Sequence, residues 1–206
     1  LFLDISQWSF DNWGDDVVAN RKGGGLFYYD SDASTEPVRA TSVTTSPVST
    51  NSIIVSPNDR HLICLGTNRF EATATVSGTF DPMLVRWSDQ DDRNEWNPTA
   101  ATDAGEVVLT DGTRIVGAVR ARNAINIWTD NALWLMQFVG GNFVFKFQQV
   151  GTNCGLIGQH AAIDYNGTTY WMGYDNFYFY SGAVQVLDCT VRRFIFDDLN
   201  ISYYDK

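Results

Sequence analysis

The chain has 206 residues, 44% hydrophobic and 18% charged, with 14 basic against 24 acidic side chains and a formal net charge of −10. A folded chain of this size buries roughly 70% of the surface it exposes when unfolded, so a sizeable core is possible, and the hydrophobic and charged composition excludes disorder as its main state. The acidic balance, without any Lys/Arg run, argues against gripping nucleic acid by its phosphates. Three widely spaced cysteines, Cys64, Cys154 and Cys189, argue against a disulfide framework and a CxxC zinc site. No apolar run reaches the about 20 residues of a membrane helix, and no secretory leader is visible. The chain opens on "LFLDISQWSF", in mid-pattern, as expected of part of a longer protein.

Strand signals follow in chain order: "GLFYYD", "NSIIVS", "HLICLG", "EATATVSG", "PMLVRWSD", "RIVGAVRA", "AINIWTD", "ALWLMQF", "FVFKFQQV", "GTTYWMG" and "NFYFYSG". Each is short and rich in β-branched or aromatic residues, and most are bounded by Gly, Asn, Asp or Pro. Residues 31–48, rich in Ser and Thr with Pro37 and Pro47, read as a long surface loop, an irregular edge strand or an insertion. A second polar loop or insertion covers 88–106. The one helical spacing is in "TVRRFIFDDL", where Val191, Phe194, Ile195 and Leu199 fall at i, i+3, i+4 and i+8.

Repetition carries the architecture. Trp87, Trp128 and Trp171 close similar strands at separations of 41 and 43 residues. Asp130-Asn131 and Asp175-Asn176 follow the second and third, and both residue types tolerate the positive φ of a tight hairpin turn. Trp134 lies just beyond the first pair. A period in the low forties with about four strands is the mark of a β-propeller blade, whose two faces must be covered by neighbouring blades. The fold expected is therefore all-β, with propeller-like blades, an incomplete ring, and one short helix near the C-terminus. Trp87, Trp128, Trp134 and Trp171 are expected as blade core, and residues 1–206 as the propeller portion of a longer chain. A β-sandwich accounts for the strands but not for the tryptophan spacing.

Chemistry finds little footing. His61 and His160 lack a nucleophile signature, and "RHLICLG" reads as a strand-end or core histidine. Asp89, Asp91 and Asp92 in "SDQDD" miss the calcium-loop template, because Arg93 stands where a ligand is needed and no Gly follows. "GGG" at 23–25 is not followed by a helix, so a phosphate cradle is not expected. Asn166-Gly167-Thr168 and Asn200-Ile201-Ser202 are read as chance sequons. The aromatics of "YWMGYDNFYFY" lack the Arg or Lys of an RNA-stacking platform and read as packing. A pair of carboxylates for glycoside hydrolysis stays open, since spacing in sequence says nothing about their separation in space.

Several stretches resemble the tail nozzle proteins (tail tubular protein B, or head-to-tail hub) of short-tailed bacteriophages. The resemblance rests on "WSDQ" at Trp87 to Gln90 with Trp96 and Pro98, and on Ala104-Gly105 with Leu109 and Gly112. It continues in Ile127 to Asp130 with Ala132 to Trp134, Met136 and Gln137, and in Tyr170 to Gly173. It covers most of the chain apart from the Ser/Thr-rich segment. It implies a virion structural protein without catalytic residues, cofactor or metal. The implied partners are other copies in a ring, a hexamer, together with portal-adaptor and other tail proteins. The implied role is to retain packaged double-stranded DNA and conduct it without specific binding. Asp89, Asp91 and Asp92 are expected to line that channel or carry the ring contacts. The alternative expectation is a propeller that binds or hydrolyses host surface glycans.

Overall fold

The structure, a computed structural model, describes residues 6–32, 39–72, 78–141 and 143–200. The strand expected over "EATATVSG" falls largely outside them, as does the sequon at Ile201-Ser202. The chain divides into two units, Leu1–Thr110 and Asp111–Lys206. Across the described residues it folds into four four-stranded sheets, in each of which every strand pairs antiparallel with the next in sequence. One short helix follows them. This is the blade-like all-β fold expected.

Unit one holds the first sheet, β1 (Trp8–Trp13), β2 (Asp16–Arg21), β3 (Leu26–Tyr29) and β4 (Thr41–Ser42). It also holds the second sheet, β5 (Thr50–Val55), β6 (Leu62–Asn68), β7 (Phe80–Trp87) and β8 (Gly105–Val108). Trp13, Val18, Leu26 and Tyr28 of the first sheet share one core with Ile53, Val55, Leu62 and Cys64 of the second. β1 inverts the usual strand logic. Ser9 and Asp11 face inward while Trp8 and Phe10 face outward, and only Trp13 at the strand's end returns to the core. The cause is the exposed edge of β5: Ile53 N–H donates to Ser9 Oγ (3.1 Å) and Val55 N–H to Asp11 Oδ2 (2.6 Å). Side chains of β1 thus satisfy edge amides that burial would otherwise strand. β4 lies within the Ser/Thr-rich segment as an edge strand, and Val43 beside it is buried.

Unit two holds the third sheet, β9 (Ile115–Arg120), β10 (Ile125–Thr129), β11 (Leu133–Phe138) and β12 (Phe145–Gly151). The fourth is β13 (Ala162–Tyr165), β14 (Thr168–Met172), β15 (Phe177–Tyr180) and β16 (Val184–Val186). Trp128 and Leu133 pack on Trp171, Tyr178, Cys154 and Leu156. The β13–β14 connection is Asn166-Gly167, with φ of 53° and 78°, the two positive values a type I′ hairpin requires.

Helix α1 (Arg192–Asp197) forms where its spacing predicts, but none of its residues is fully buried. Phe194 is 79% exposed, and it is Phe196 that meets Phe177 edge-on at 5.3 Å. With six residues the helix is too short for its periodicity to select a buried face.

Candidate functional site

The repeated tryptophans lie in core positions. Trp87, Trp128 and Trp171 are buried; Trp134 is half-buried at the edge of the core. The register of the repeat differs from the one expected. Trp128 and Trp171 stand on the second strands of their sheets, β10 and β14, whereas Trp87 ends β7, the third strand of its own. The two second-strand positions meet directly: Trp128 and Trp171 rings are 5.4 Å apart, and Asn126 donates to Thr169 Oγ1 at 2.7 Å. Trp87 instead builds the loop that follows it.

That loop, 88–104, is a braced structure. The Trp87 indole donates to the Asp103 carbonyl (2.8 Å), and Asp103 N–H donates to Asp89 Oδ1 (2.6 Å). Trp96 is buried in the core of unit one, and its indole donates to the Arg93 carbonyl (2.8 Å). The Arg93 guanidinium sits 3.4 Å over the Tyr28 ring. Arg86, buried within β7, donates from Nη2 to the Trp96 carbonyl (3.0 Å) and from Nη1 to the Asn68 carbonyl (3.2 Å). Of the three expected channel acids, Asp89 is therefore spent on the loop itself. Asp91, at φ 57°, pairs with Arg60 (2.7 Å), and Asp92 accepts the Asn94 N–H (2.8 Å). Asp91 and Asp92 remain solvent-exposed.

Both Asp-Asn pairs occupy hairpin turns, but not by the expected means. None of Asp130, Asn131, Asp175 and Asn176 takes a positive φ. In the first turn Thr129 Oγ1 accepts the N–H of Asn131 (3.1 Å) and of Ala132 (2.8 Å), replacing the backbone bond that a primed turn would make. Asp130 accepts from the N–H (2.7 Å) and hydroxyl of Thr113. In the second turn Gly173 N–H donates to the Asn176 carbonyl (2.8 Å), and Asp175 accepts the Tyr178 hydroxyl (3.0 Å).

Around the first turn lies a polar cluster that sequence reasoning missed. Asp111 accepts from Asn131 Nδ2 (2.6 Å), Thr152 Oγ1 (3.0 Å) and Gln149 Nε2. Its carboxyl is held below the ordinary aspartate range, chiefly by the Asn131 bond. Burial pushes the Asp130 carboxyl upward, but the Thr113 and backbone donors outweigh it and the net shift is downward. Carboxylates held ionised suit the base or nucleophile half of an acid–base pair but not the proton donor of a glycosidase, which needs a raised pKa.

The thiols are the opposite case. Burial raises Cys64 to about 12 and Cys154 to about 11, which keeps both protonated and unreactive at neutral pH. His61 is buried, with Nδ1 2.8 Å from the Ser88 carbonyl and Nε2 3.5 Å from Asp59 Oδ2, and His160 is exposed. Among the described residues no three His, Cys, Asp or Glu form a metal-ligand group. No helix among them is long and apolar enough to cross a membrane.

These shifts set a pH prediction. Asp111 and Asp130 have folded pKa values below the ordinary 3.8, so they stabilise the fold above about pH 4 and lose that effect as pH falls through their folded values. Cys64 is raised, so its contribution is complete below its ordinary 9.0 and is lost as pH climbs toward 12. Thermal midpoints are expected to form a plateau from about pH 5 to 8. In the double variant Asp111→Asn/Asp130→Asn the acid limb should be shallower. An unchanged acid limb in that variant would contradict the assignment.

No family model and no curated protein matches this chain. Among solved structures, a tryptophan mutant of the Synechocystis apocarotenoid oxygenase is similar with a TM-score of 0.39 and 9% identity, over 87% of this chain and 40% of that one.

Proposed function

We propose that this chain is a non-enzymatic structural subunit of a bacteriophage tail nozzle, assembling with its own copies into a ring that holds back and then conducts the packaged genome. The observation that carries the reading is how the residues of the resemblance pair in space. A Cβ on Gly105 would fall 2.5 Å from the Trp87 ring, so those two residues of the resemblance depend on each other. A Cβ on Gly112, at φ 119°, would fall 2.6 Å from Asp130 Oδ1. The shared residues serve loop and turn architecture, as a subunit acting by shape requires. The net charge of −10 fits a conduit in which DNA must slide, because like charge repels the duplex over about 8 Å at physiological salt.

The test is made on phage particles. Antibody against this chain should label the tail, and purified tails should show a ring with a central hole by negative-stain microscopy. Asp91→Lys/Asp92→Lys should slow genome ejection without blocking assembly. A soluble chain that cleaves host polysaccharide, with cleavage abolished by Asp111→Asn, would instead establish the glycan-hydrolysing reading.

A further inference from the structure

Asn166 is the only asparagine of the chain that precedes a glycine, and Asp111 the only aspartate that does. Such pairs are chemically labile, because a glycine has no Cβ to keep its nitrogen from the carbonyl carbon of the preceding side chain. The fold treats the two pairs oppositely. The Asp111 carboxylate accepts from Asn131, Thr152 and Gln149 and is held ionised, which makes it a poor electrophile. Asn166 and Gly167 stand exposed at the end of the β13–β14 hairpin, with φ of 53° and 78°. Among the described residues the Asn166 side chain and the Gly167 N–H make no hydrogen bond. β13 is an edge strand, so this end of the hairpin opens without disturbing the rest of the sheet.

The turn sits beside a joint between the third and fourth sheets. Tyr165 and Thr168 close the turn, and the next pair along the hairpin is Asp164 with Thr169. Thr169 Oγ1 donates to Asp164 Oδ2 (2.8 Å) and accepts from Asn126 Nδ2 of β10 (2.7 Å). Thr169 is buried, so a bond lost there is not replaced by one to water. The two-residue turn fixes the register of the hairpin. One extra backbone atom in the turn shifts the pairing on which the Asp164–Thr169–Asn126 chain depends.

We propose that Asn166-Gly167 is a self-modifying site, at which the turn loses the Asn166 side-chain amide and passes to an isoaspartyl linkage that loosens this joint. The Gly167 nitrogen gives its proton to solvent base and attacks Asn166 Cγ. A bond forms between that nitrogen and Cγ, the Cγ–Nδ2 bond breaks, and Nδ2 takes up a proton and leaves as ammonia. The product is a cyclic imide. Water then opens the ring. Opening at Cγ gives aspartate; opening at the backbone carbonyl of residue 166 gives isoaspartate, in which the chain runs through Cβ and Cγ. Nothing is oxidised or reduced, and water is the only co-reactant. Aspartate keeps the length of the turn and tolerates positive φ. Isoaspartate adds a backbone atom, so it alone disturbs the Asp164–Thr169 pair. The reaction needs only this chain and solvent, and it stands whether or not the chain belongs to a tail.

The experiment ages the purified 206-residue chain in mildly alkaline buffer and follows it by peptide mass spectrometry, enzymatic methylation of isoaspartate and urea denaturation. Asn166 should lose its amide about tenfold or more faster than the exposed Asn12 and Asn94, whose following residues Trp13 and Glu95 carry a Cβ. Residue 111 should gain no isoaspartate. The urea midpoint of the aged chain should fall in step with its isoaspartyl fraction. Asn166→Gly suits the same turn but has no side chain to cyclise, so its midpoint should not fall on ageing. Asn166→Asp adds the charge without the extra backbone atom, so the fresh variant should match fresh wild type. The proposal is overturned by an Asn166 amide that lasts as long as those of Asn12 and Asn94, or by isoaspartate forming at 111 as fast as at 166. It is equally overturned by a midpoint that ignores the isoaspartyl fraction, by an Asn166→Gly variant that ages like wild type, or by a fresh Asn166→Asp variant already as weak as the aged chain.

Discussion

Gly155→Ala is expected to destabilise unit two by about 3 kcal/mol or more, read as a lowered urea midpoint. The added Cβ would lie inside the van der Waals envelope of the Asp130 carbonyl carbon and oxygen, and 2.8 Å from Asn131 N. All three are backbone atoms, so no side chain can rotate away. The strain must move the Asp130-Asn131 turn or the chain around Gly155. Either movement pulls on the Cys154 N–H bond to the Asn131 carbonyl (2.9 Å) and the Trp171 indole bond to the Cys154 carbonyl (2.8 Å). Gly25→Ala is the control: its φ is not positive, and its Cβ would meet nothing closer than the Val48 carbonyl at 3.7 Å. That variant should change stability by less than about 1 kcal/mol. Equal effects of the two substitutions would remove the steric argument.

Arg86→Ala is expected to cost about 3 kcal/mol or more, and to expose the 88–104 loop to proteolysis. The side chain is buried, lies 5.7 Å from the Phe70 ring, and holds two carbonyls across the loop base. Burial lowers its pKa, yet a guanidinium stays charged throughout the working range. Its removal leaves the Asn68 and Trp96 carbonyls without these donors and a cavity beside Phe70. Arg86→Met restores volume but not the donors, so it should fall between wild type and Arg86→Ala. If Arg86→Met matched wild type in urea midpoint and protease resistance, packing alone would account for the residue.

Much of the fold is legible in the amino-acid sequence. Alternation and β-branched content locate most strands, and the 43-residue step from Trp128 to Trp171 links equivalent strands of two four-stranded sheets, as the step from Trp87 does not. The core burial of Trp87, Trp128 and Trp171 follows from the same pattern. The lone charge within "PMLVRW" is a readable sign of a buried, bonded side chain, and Asn166-Gly167 is a stronger hairpin signal than either Asp-Asn pair. β1 is not legible, because its polar residues serve the backbone of β5 from 44 positions away.

The sequence by itself determined the fold class, the short helix and the acidic, charge-sparse character of the chain. These depend on residue type and local period, which are visible in a linear string. Only the tertiary structure decided that Trp87 belongs to a third strand and Trp128 to a second, since strand rank depends on which segments pair. The same holds for the clustering of Asp111 with Asn131, Gln149 and Thr152. Each is a relation between distant residues, fixed by how whole sheets pair and stack.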